Sequence, residues 1–340
     1  MIVYLFSLII SLIFTNKAYE KNNLLFHITA IVFPIVLYTF RGTNVGTDTF
    51  HYEDLYFNAQ YAYGYLEFIF SSRIEYGFST LLYLSSKTGL SVQFAFFIMA
   101  LFTIGPIYLG IYILRDKISP CFALALYYLM FYQYSFNIAR QSIAMSLLFL
   151  SLSFLLTNRN KSAFAFAIVS ILFHNVAVLV FPLFLVYLLK GKNIKQTMVF
   201  IVVIIVGLFY FGQEYLSDSI DYYDNYLSSD KASTQFSYLI EMGINATLVF
   251  LGWNQSNTKE NGFALFISLF VFFLIACSSF FDYAFRIACC YDIFLIAFVP
   301  MAISSIKYVI LNSGYLYFAF FFWWFVFIYN NSGGTYPYSF

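Results

Sequence analysis

Long apolar segments follow one another along almost the whole sequence, and no soluble domain interrupts them. Charged residues make up only 10% of the chain, whereas ordinary soluble proteins contain about 25%. Because a helix needs about 20 mostly apolar residues to cross a bilayer, segments of this kind predict transmembrane helices. The sequence is therefore typical of an all-α, polytopic integral membrane protein. The apolar runs are residues 2–15, 24–40, 91–114, 120–136, 142–156, 163–189, 197–212, 236–252, 262–281, 287–303 and 314–329.

Basic residues predict the orientation of these helices, because cytoplasmic loops are enriched in lysine and arginine. The run 163–189 has basic residues at both ends, and its only strongly polar break is Phe173-His174-Asn175. We therefore expect a tight hairpin there, with His174 and Asn175 at its outer tip. The chain then crosses the membrane about twelve times, with both termini outside. The connections assigned to the cytoplasm are residues 17–21, 115–117, 159–161 and 190–195.

Residues 1–340 are expected to form a single multi-pass membrane domain with two long outer connections. The first, residues 41–90, contains the apolar segment 76–86, which has only eleven residues and is predicted to be a re-entrant or interfacial helix. If it spans the membrane instead, Asn137–Gln141 lies on the cytoplasmic side. The second, residues 213–235, combines carboxylates with tyrosines. This combination can bind a sugar, although the pattern favours a solvated acidic loop.

The predicted outer face carries four arginines, Arg41, Arg73, Arg140 and Arg286, whereas most basic residues of the cytoplasmic loops are lysines. A guanidinium binds phosphate or carboxylate through two parallel hydrogen bonds and tolerates burial better than an ammonium group. Arg140 lies in a five-residue hinge, Asn137–Gln141, between two membrane-length runs. A charge there is costly without a partner or a ligand. The outer face is therefore predicted to bind an anion, and the net charge of +1 gives no reason to expect nucleic acid.

Several candidate residues also have simpler structural explanations. Extension of the side chain toward lipid head groups explains Arg41 and Arg140. Glu75 precedes the segment 76–86, where the helix dipole favours a carboxylate. His174 is explained as a hydrogen-bonded packing residue within an apolar run. No metal motif is visible, because the three histidines are scattered and the four cysteines lie in apolar runs without CxxC spacing.

Five short motifs occur in an order and spacing that resemble a known family. Together, over about residues 41–300, they are similar to the EpsG-like branch of the Wzy-type bacterial polysaccharide polymerases, a resemblance that is also compatible with a GT-C-like architecture. Each motif alone is short, so their order carries the resemblance. The motifs are Arg41…Val45-Gly46-Thr47-Asp48-Thr49…Tyr52, Glu75-x-Gly77-Phe78, Arg140-Gln141-x-Ile143-Ala144, Phe173-His174-Asn175-x-Ala177 and Arg286…Tyr291.

The resemblance implies a polymerase for O-antigen (lipopolysaccharide) or capsule repeat units in the bacterial cytoplasmic membrane, with its active site facing the periplasm. Such enzymes transfer a growing glycan from undecaprenyl diphosphate to the non-reducing end of another lipid-linked unit. The expected partners are the lipid-linked donor and acceptor, the bilayer, a chain-length regulator and a flippase. The glycosyl-diphosphate bond supplies the energy, so neither a cofactor nor a metal is expected.

This chemistry needs cations at the diphosphate leaving group and a base for the acceptor hydroxyl. His174 or Asp48 is expected to be the base, with Glu75 as an orienting residue or an alternative base. The cations assigned to the diphosphate are Arg41, Arg140 and Arg286. The residues expected to contact the glycan are Tyr52, Asn137, Gln141, Asn175 and Tyr291, together with the loop 213–235.

Three other functions are alternatives to the polymerase. A flippase for lipid-linked oligosaccharides needs polar or cationic residues along several helices, whereas the residues clearly inside apolar runs, Glu241 and Asp292, are acidic. An O-antigen ligase, or another polyprenyl-diphosphate-dependent glycosyltransferase, uses the same donor with a different acceptor. Only the resemblance separates the polymerase from the ligase. A scaffold gives no reason for the arginines to gather on one face.

Overall fold

The computed structural model describes residues 1–188, 259–277, 282–304 and 318–340 except 319, 327 and 332, together with residues 240, 243, 244 and 247. The predicted outer loop 213–235, the run 197–212, the basic connection 190–195, Glu241 and most of the run 236–252 lie outside the described residues. Two compact units are present, and the prediction of a single multi-pass domain stays a prediction. The first comprises Met1–Val178 with Ile293–Phe340, and the second comprises Leu179–Asp292.

All regular elements among the described residues are helical, which confirms the predicted all-α class. The first unit contains α1 Ile2–Lys21, α2 Leu24–Thr39, α3 Thr49–Tyr61, α4 Tyr65–Ser72, α5 Tyr76–Ser86, α6 Val92–Ile113, α7 Pro120–Tyr127, α8 Ala139–Leu156 and α9 Asn160–Ile171. A π-helical turn, Tyr128–Tyr132, and a 3-10 turn, Tyr134–Phe136, follow α7. A 3-10 segment, Asn175–Val180, leads to α10 Phe181–Leu188, α11 Lys259–Cys277, α12 Asp282–Asp292 and α13 Leu295–Ser304.

Three described helices are long and apolar enough to cross a membrane: Ile2–Lys21, Val92–Ile113 and Ala139–Leu156. A fourth candidate results if Ala284–Asp292 and Leu295–Ala302 are taken as one span. Shorter apolar helices account for several other predicted runs, among them Leu24–Thr39 and Asn160–Ile171. The predicted count of about twelve spans is therefore not confirmed, whereas the membrane character of the helices is.

Two sequence-based boundaries agree well with the structure and one differs. The segment 76–86 forms α5 over the expected residues, and the run 163–189 divides at the polar residues Phe173-His174-Asn175, between the end of α9 and the 3-10 segment. The hinge differs, because α8 begins at Ala139 and Arg140 thus lies in its first turn. The hinge is therefore shorter than the predicted five residues, and helix geometry constrains Arg140.

Helices α6 and α8 pack against each other in the first unit and run in the same direction. The Ser146 hydroxyl of α8 donates a hydrogen bond to the Thr103 carbonyl of α6 over 2.7 Å. Farther along both helices, Gly110 lies so close to Phe149 that an added Cβ would be 2.7 Å from the phenyl ring. Because the contacts advance in the same order, both helices begin at the same end of the bundle. That end carries the hinge and the connection 41–90.

Helix α5 begins where α9 ends. The Gly77 N–H in the first turn of α5 donates a hydrogen bond to the Leu172 carbonyl at the end of α9 over 2.7 Å. The first N–H groups and the last carbonyls of helices have no partner within the helix, so the two ends satisfy each other. A Cβ on Gly77 would lie 2.7 Å from the Leu172 oxygen. Only glycine permits this approach, which brings Glu75 close to His174.

We expect the substitution Gly77→Ala to destabilise the protein by about 1–3 kcal/mol, the usual cost of overpacking. The reason is that the new methyl group must push the ends of α5 and α9 apart. The matched control is Gly105→Ala in α6, where an added Cβ meets no atom of the described residues within 4 Å. Thermal unfolding in detergent micelles measures the difference. Equal unfolding midpoints for the two variants would contradict the tight contact.

Candidate active site

The Glu75 carboxylate connects two distant parts of the chain. Arg140 Nη1 donates a hydrogen bond to Glu75 Oε2 over 2.6 Å, across 65 residues of sequence. His174 Nδ1 lies 2.8 Å from Glu75 Oε1, across 99 residues of sequence. Three separate sequence motifs thus meet at one carboxylate. We call Arg140, Glu75 and His174 the charged cluster.

Burial makes these contacts strong. The exposed fraction of the side chain is 8% for Glu75, 20% for Arg140 and 12% for His174. Burial by itself raises the pKa of Glu75, but the hydrogen bond with His174 and the charge of Arg140 outweigh it and lower the pKa to about 2. Glu75 is therefore ionised at neutral pH, and a carboxylate with so low a pKa is a weak proton acceptor.

The ionised carboxylate decides how His174 is protonated. A carboxylate only accepts hydrogen bonds, so His174 Nδ1 must carry a proton and donate it to Glu75. The other ring nitrogen, Nε2, is buried and has no hydrogen-bond partner among the described residues. In the neutral ring Nε2 then carries a lone pair that can accept a proton. A carboxylate orients the imidazole of catalytic triads in the same way.

Helix ends add to the electrostatics of the cluster. Glu75 is the residue before the first turn of α5, and Arg140 lies in the first turn of α8. The positive ends of both helix dipoles therefore lie at the cluster, and such helix ends favour anions. The position of Glu75 before α5 agrees with the expected dipole effect, but its side chain makes no hydrogen bond to the N–H groups of α5. It binds Arg140 and His174 instead.

A second hydrogen-bond network holds the residues that precede Arg140. The Tyr52 hydroxyl donates to the Asn137 carbonyl over 2.6 Å and accepts from the Ala139 N–H over 3.0 Å. The Thr47 N–H donates to Asn137 Oδ1 over 2.8 Å. Burial and the charge of Asp48 raise the pKa of Tyr52, and the charge of Arg140 lowers it. The motif 41–52 therefore lies beside the charged cluster and supports the start of α8.

Arg41 is buried among aromatic rings, with 2% of its surface exposed. Its guanidinium carbon lies 4.1, 4.7 and 4.9 Å from the ring centroids of Tyr38, Phe96 and Phe136. Its Nε donates to the Thr49 hydroxyl over 3.0 Å, and its Nη2 has no hydrogen-bond partner among the described residues. Arg41 thus occupies an aromatic cage, which the sequence did not predict.

The remaining predicted site residues occupy different environments. Asp48 is half-buried and accepts a hydrogen bond from the Thr47 hydroxyl over 2.9 Å. Gln141 is buried in α8, and Asn175 is exposed next to His174. The two predicted residues of the second unit lie on α12: Arg286 is half-buried, and the buried Tyr291 donates to the Leu179 carbonyl over 2.6 Å.

Sequence reasoning missed three contributors to the site. Gly77 brings the ends of α5 and α9 together, the Thr47 N–H holds Asn137, and the carbonyl of Gly333 accepts a hydrogen bond from Asn137 Nδ2 over 2.8 Å. Gly77 belongs to the motif Glu75-x-Gly77-Phe78, so the motif contained a signal for it. The other two act through backbone atoms, for which residue types carry no signal. Among the described residues, no group of three or more metal-ligating side chains is present.

A family model for the EpsG family matches residues 23–340. The chain belongs to the EpsG family. Its members are polysaccharide polymerase-like membrane proteins, and the predicted resemblance to this family is confirmed. The match includes the charged cluster and the network around Tyr52. No curated protein and no solved structure is similar enough to this chain to count as a match.

We expect the stability of this EpsG-family protein to depend on pH through Glu75. Because the folded-state pKa of about 2 lies below the ordinary value of 4.5, the ionised carboxylate stabilises the fold above about pH 4.5. This contribution is lost as the pH falls from about 4.5 to about 2. Glu75→Gln removes the charge at every pH, so the thermal midpoint of that variant is expected to change less between pH 6 and pH 3.

The matched control is Glu67→Gln, because Glu67 is an exposed carboxylate in the neighbouring helix α4. This variant is expected to keep the wild-type dependence of the midpoint on pH. At pH 7, Glu75→Gln is expected to destabilise the protein, since removing one partner of a buried ion pair costs about 3–5 kcal/mol. A wild-type midpoint for Glu75→Gln at pH 7 would show that the ion pair contributes no net stability.

Proposed function

We propose that this EpsG-family protein is a Wzy-type polymerase. It transfers a growing glycan from undecaprenyl diphosphate to the non-reducing end of another lipid-linked repeat unit, at the periplasmic face of the bacterial cytoplasmic membrane. The observation that supports the proposal most directly is the contact of Arg140 and His174 with one buried carboxylate. These residues supply a cation for the leaving group and an oriented base within one site.

His174 is the proposed general base. The acceptor hydroxyl oxygen attacks the anomeric carbon of the donor, the bond from that carbon to the diphosphate oxygen breaks, and the hydroxyl proton passes to His174 Nε2. Glu75 keeps the imidazole in the required tautomer and stabilises the imidazolium that forms. The low pKa of Glu75 argues against Glu75 itself as the base. Asp48 stays the alternative base, because it is half-buried beside the same network.

Arg140 is proposed to bind the diphosphate. Negative charge grows on the leaving diphosphate in the transition state, and a cation fixed at that position lowers the barrier. The first turns of α5 and α8 add the positive ends of two helix dipoles. Arg286 is proposed as a second cation for the same group. For Arg41 we propose a supporting role, since aromatic rings surround its guanidinium.

The glycan is proposed to lie along residues that flank the cluster. Asn175 is exposed next to His174, and Gln141 follows Arg140 in α8. We propose that Tyr52 and Asn137 act on the glycan site indirectly, because hydrogen bonds to the protein engage both side chains. Tyr291 and the loop 213–235 stay proposed glycan contacts. A flippase that delivers the substrate and a regulator of chain length are proposed partners, and neither a cofactor nor a metal is required.

Removal of the base is expected to slow polymerisation strongly. His174→Gln should lower the rate by about 100- to 10,000-fold, the usual contribution of general base catalysis. His27→Gln is the matched control, since His27 bonds to the Tyr108 hydroxyl over 2.9 Å, between α2 and α6. A ladder of surface repeat units, at equal protein abundance, measures the effect. A wild-type ladder from His174→Gln would rule out His174 as the base.

The diphosphate site is tested by a change that keeps the charge. Arg140→Lys is expected to lower activity by about 100-fold, because an ammonium group cannot reproduce the hydrogen-bond geometry of a guanidinium. Arg115→Lys is the control, as Arg115 follows α6 at the opposite end of that helix from the site. Equal ladders for both variants would contradict the assignment.

Deletion of the gene tests the proposed reaction itself. We expect surface lipid capped with single repeat units, because the units are still exported but no longer joined. Complete loss of the surface glycan would indicate a flippase instead, and accumulation of lipid-linked polymer would indicate a ligase.

A further inference from the structure

The segment Gly333–Phe340, which we call the strap, is bound to the connection that follows α2. The Gly42 N–H donates a hydrogen bond to the Ser339 carbonyl over 2.9 Å, and the Gly46 N–H donates to the Gly334 carbonyl over 2.8 Å. Both bonds join backbone atoms and are therefore independent of side-chain type. The strap thus binds both ends of the loop Arg41–Thr47, which carries the first sequence motif.

Side chains anchor the strap to the first two helices. The Tyr4 hydroxyl of α1 donates to the Thr335 carbonyl over 2.8 Å, and the Tyr338 hydroxyl donates to the Leu37 carbonyl of α2 over 2.9 Å. The rings of Tyr4 and Tyr338 lie edge to face, with their centroids 5.6 Å apart. Thr335 is buried, with 1% of its surface exposed. The strap is therefore packed into the first unit rather than lying loosely on its surface.

Asn137 connects the strap to the charged cluster. Its Nδ2 donates to the Gly333 carbonyl over 2.8 Å, while its Oδ1 accepts from the Thr47 N–H over 2.8 Å. One side-chain amide therefore joins the strap, the loop Arg41–Thr47 and the hinge. Two residues later the Ala139 N–H bonds to Tyr52, and Arg140 follows. The hydrogen bonds of Asn137 therefore help to fix the backbone from which the Arg140 side chain extends.

We infer that the strap is a positioning element of the transfer site. It acts through Asn137, holding the start of α8 where Arg140 meets Glu75 at 2.6 Å. The inference rests on the proposed function, since it assigns the strap a part in the same reaction. It also reinterprets Asn137, which the sequence pattern placed against the glycan and which the strap and the loop engage from both sides.

The fit between strap and loop depends on two glycines. Gly46 has φ +94°, and a Cβ there would lie 2.9 Å from Asn137 Oδ1. Gly334 has φ +60°, and a Cβ there would lie 3.3 Å from Thr47 Cγ2. Positive φ values strain residues other than glycine, and the short distances leave little space for a side chain. A larger residue at Gly334 should therefore lift the strap away from the loop.

The first test compares Gly334→Val with Gly89→Val. Both glycines have positive φ, +60° and +75°, but an added Cβ at Gly89 meets no atom of the described residues within 4 Å. The backbone strain is thus matched, and only Gly334→Val disturbs the strap. We expect kcat to fall by about 10- to 100-fold in Gly334→Val, as for a small misplacement of a catalytic group, with KM for the lipid-linked acceptor little changed. Gly89→Val should keep wild-type kcat.

Hydrogen exchange gives a readout that does not depend on the reaction. In Gly334→Val, amide exchange should become faster in peptides that cover residues 41–52 and 134–142, because the bonds of Gly46 and Asn137 to the strap are lost. Gly89→Val should leave both peptides unchanged. If the wild-type protein fails to polymerise repeat units, the proposed function fails, while this exchange pattern still shows whether the strap holds the hinge.

A reversible tether separates positioning from simple destabilisation. An ideal Cβ on Gly42 lies 2.7 Å from Ser339 Oγ, so the double substitution G42C with S339C places two thiols within disulfide range. When Gly334 is unchanged, oxidation of this cysteine pair should preserve activity, because the strap remains bound during turnover. In the Gly334→Val background, oxidation should restore at least part of kcat, and reduction should remove it again.

Three results would overturn the inference. The first is wild-type kcat together with wild-type exchange in Gly334→Val at normal abundance. The second is loss of activity on tethering in the wild-type background, which would mean that the strap must leave during turnover. The third is a tethered Gly334→Val protein whose exchange returns to the wild-type pattern while kcat stays low.

Discussion

One buried carboxylate determines how the site is built. Glu75 lies almost out of reach of solvent, where an ionised acid is stable only beside compensating donors. Arg140 and His174 provide that compensation, and each comes from a different helix end. The carboxylate in turn fixes the tautomer of His174 and limits the directions in which Arg140 can point. Loss of Glu75 would remove the carboxylate that Arg140 contacts and the group that orients the imidazole of His174.

The ends of helices meet at this carboxylate, and the reason is physical. The first N–H groups and last carbonyls of a helix need partners outside the helix, and lipid provides none. In this chain, the Gly77 N–H donates a hydrogen bond to the Leu172 carbonyl at the end of α9. The Ala139 N–H at the start of α8 donates to the Tyr52 hydroxyl. These backbone bonds connect elements that are distant in sequence. The N-terminal ends of α5 and α8 also present the positive poles of their helix dipoles, which favour anions, whereas the C-terminal end of α9 presents a negative pole.

The predictions from sequence succeeded where local pattern controls structure. Apolar runs predicted helices, and the polar break at His174 predicted where the run 163–189 divides. The order of motifs predicted the EpsG family, and three of those motifs contact one another at Glu75. Sequence reasoning was weaker for Arg41, because the rings that surround it come from three different helical segments. It was weaker for Asn137 too, because its partners are backbone atoms of distant segments.

The sequence alone determined the class of the protein and its candidate residues, because hydropathy and short motifs are properties of local composition. Only the tertiary structure decided which of those residues act together. Glu75 and His174 are separated by 99 residues, and Asn137 and Gly333 by 196. No local pattern specifies such pairs, since they result from how helices pack and where their ends satisfy one another. The folded chain thus distinguishes Arg140, which has a carboxylate partner in the charged cluster, from Arg41, which is enclosed by rings.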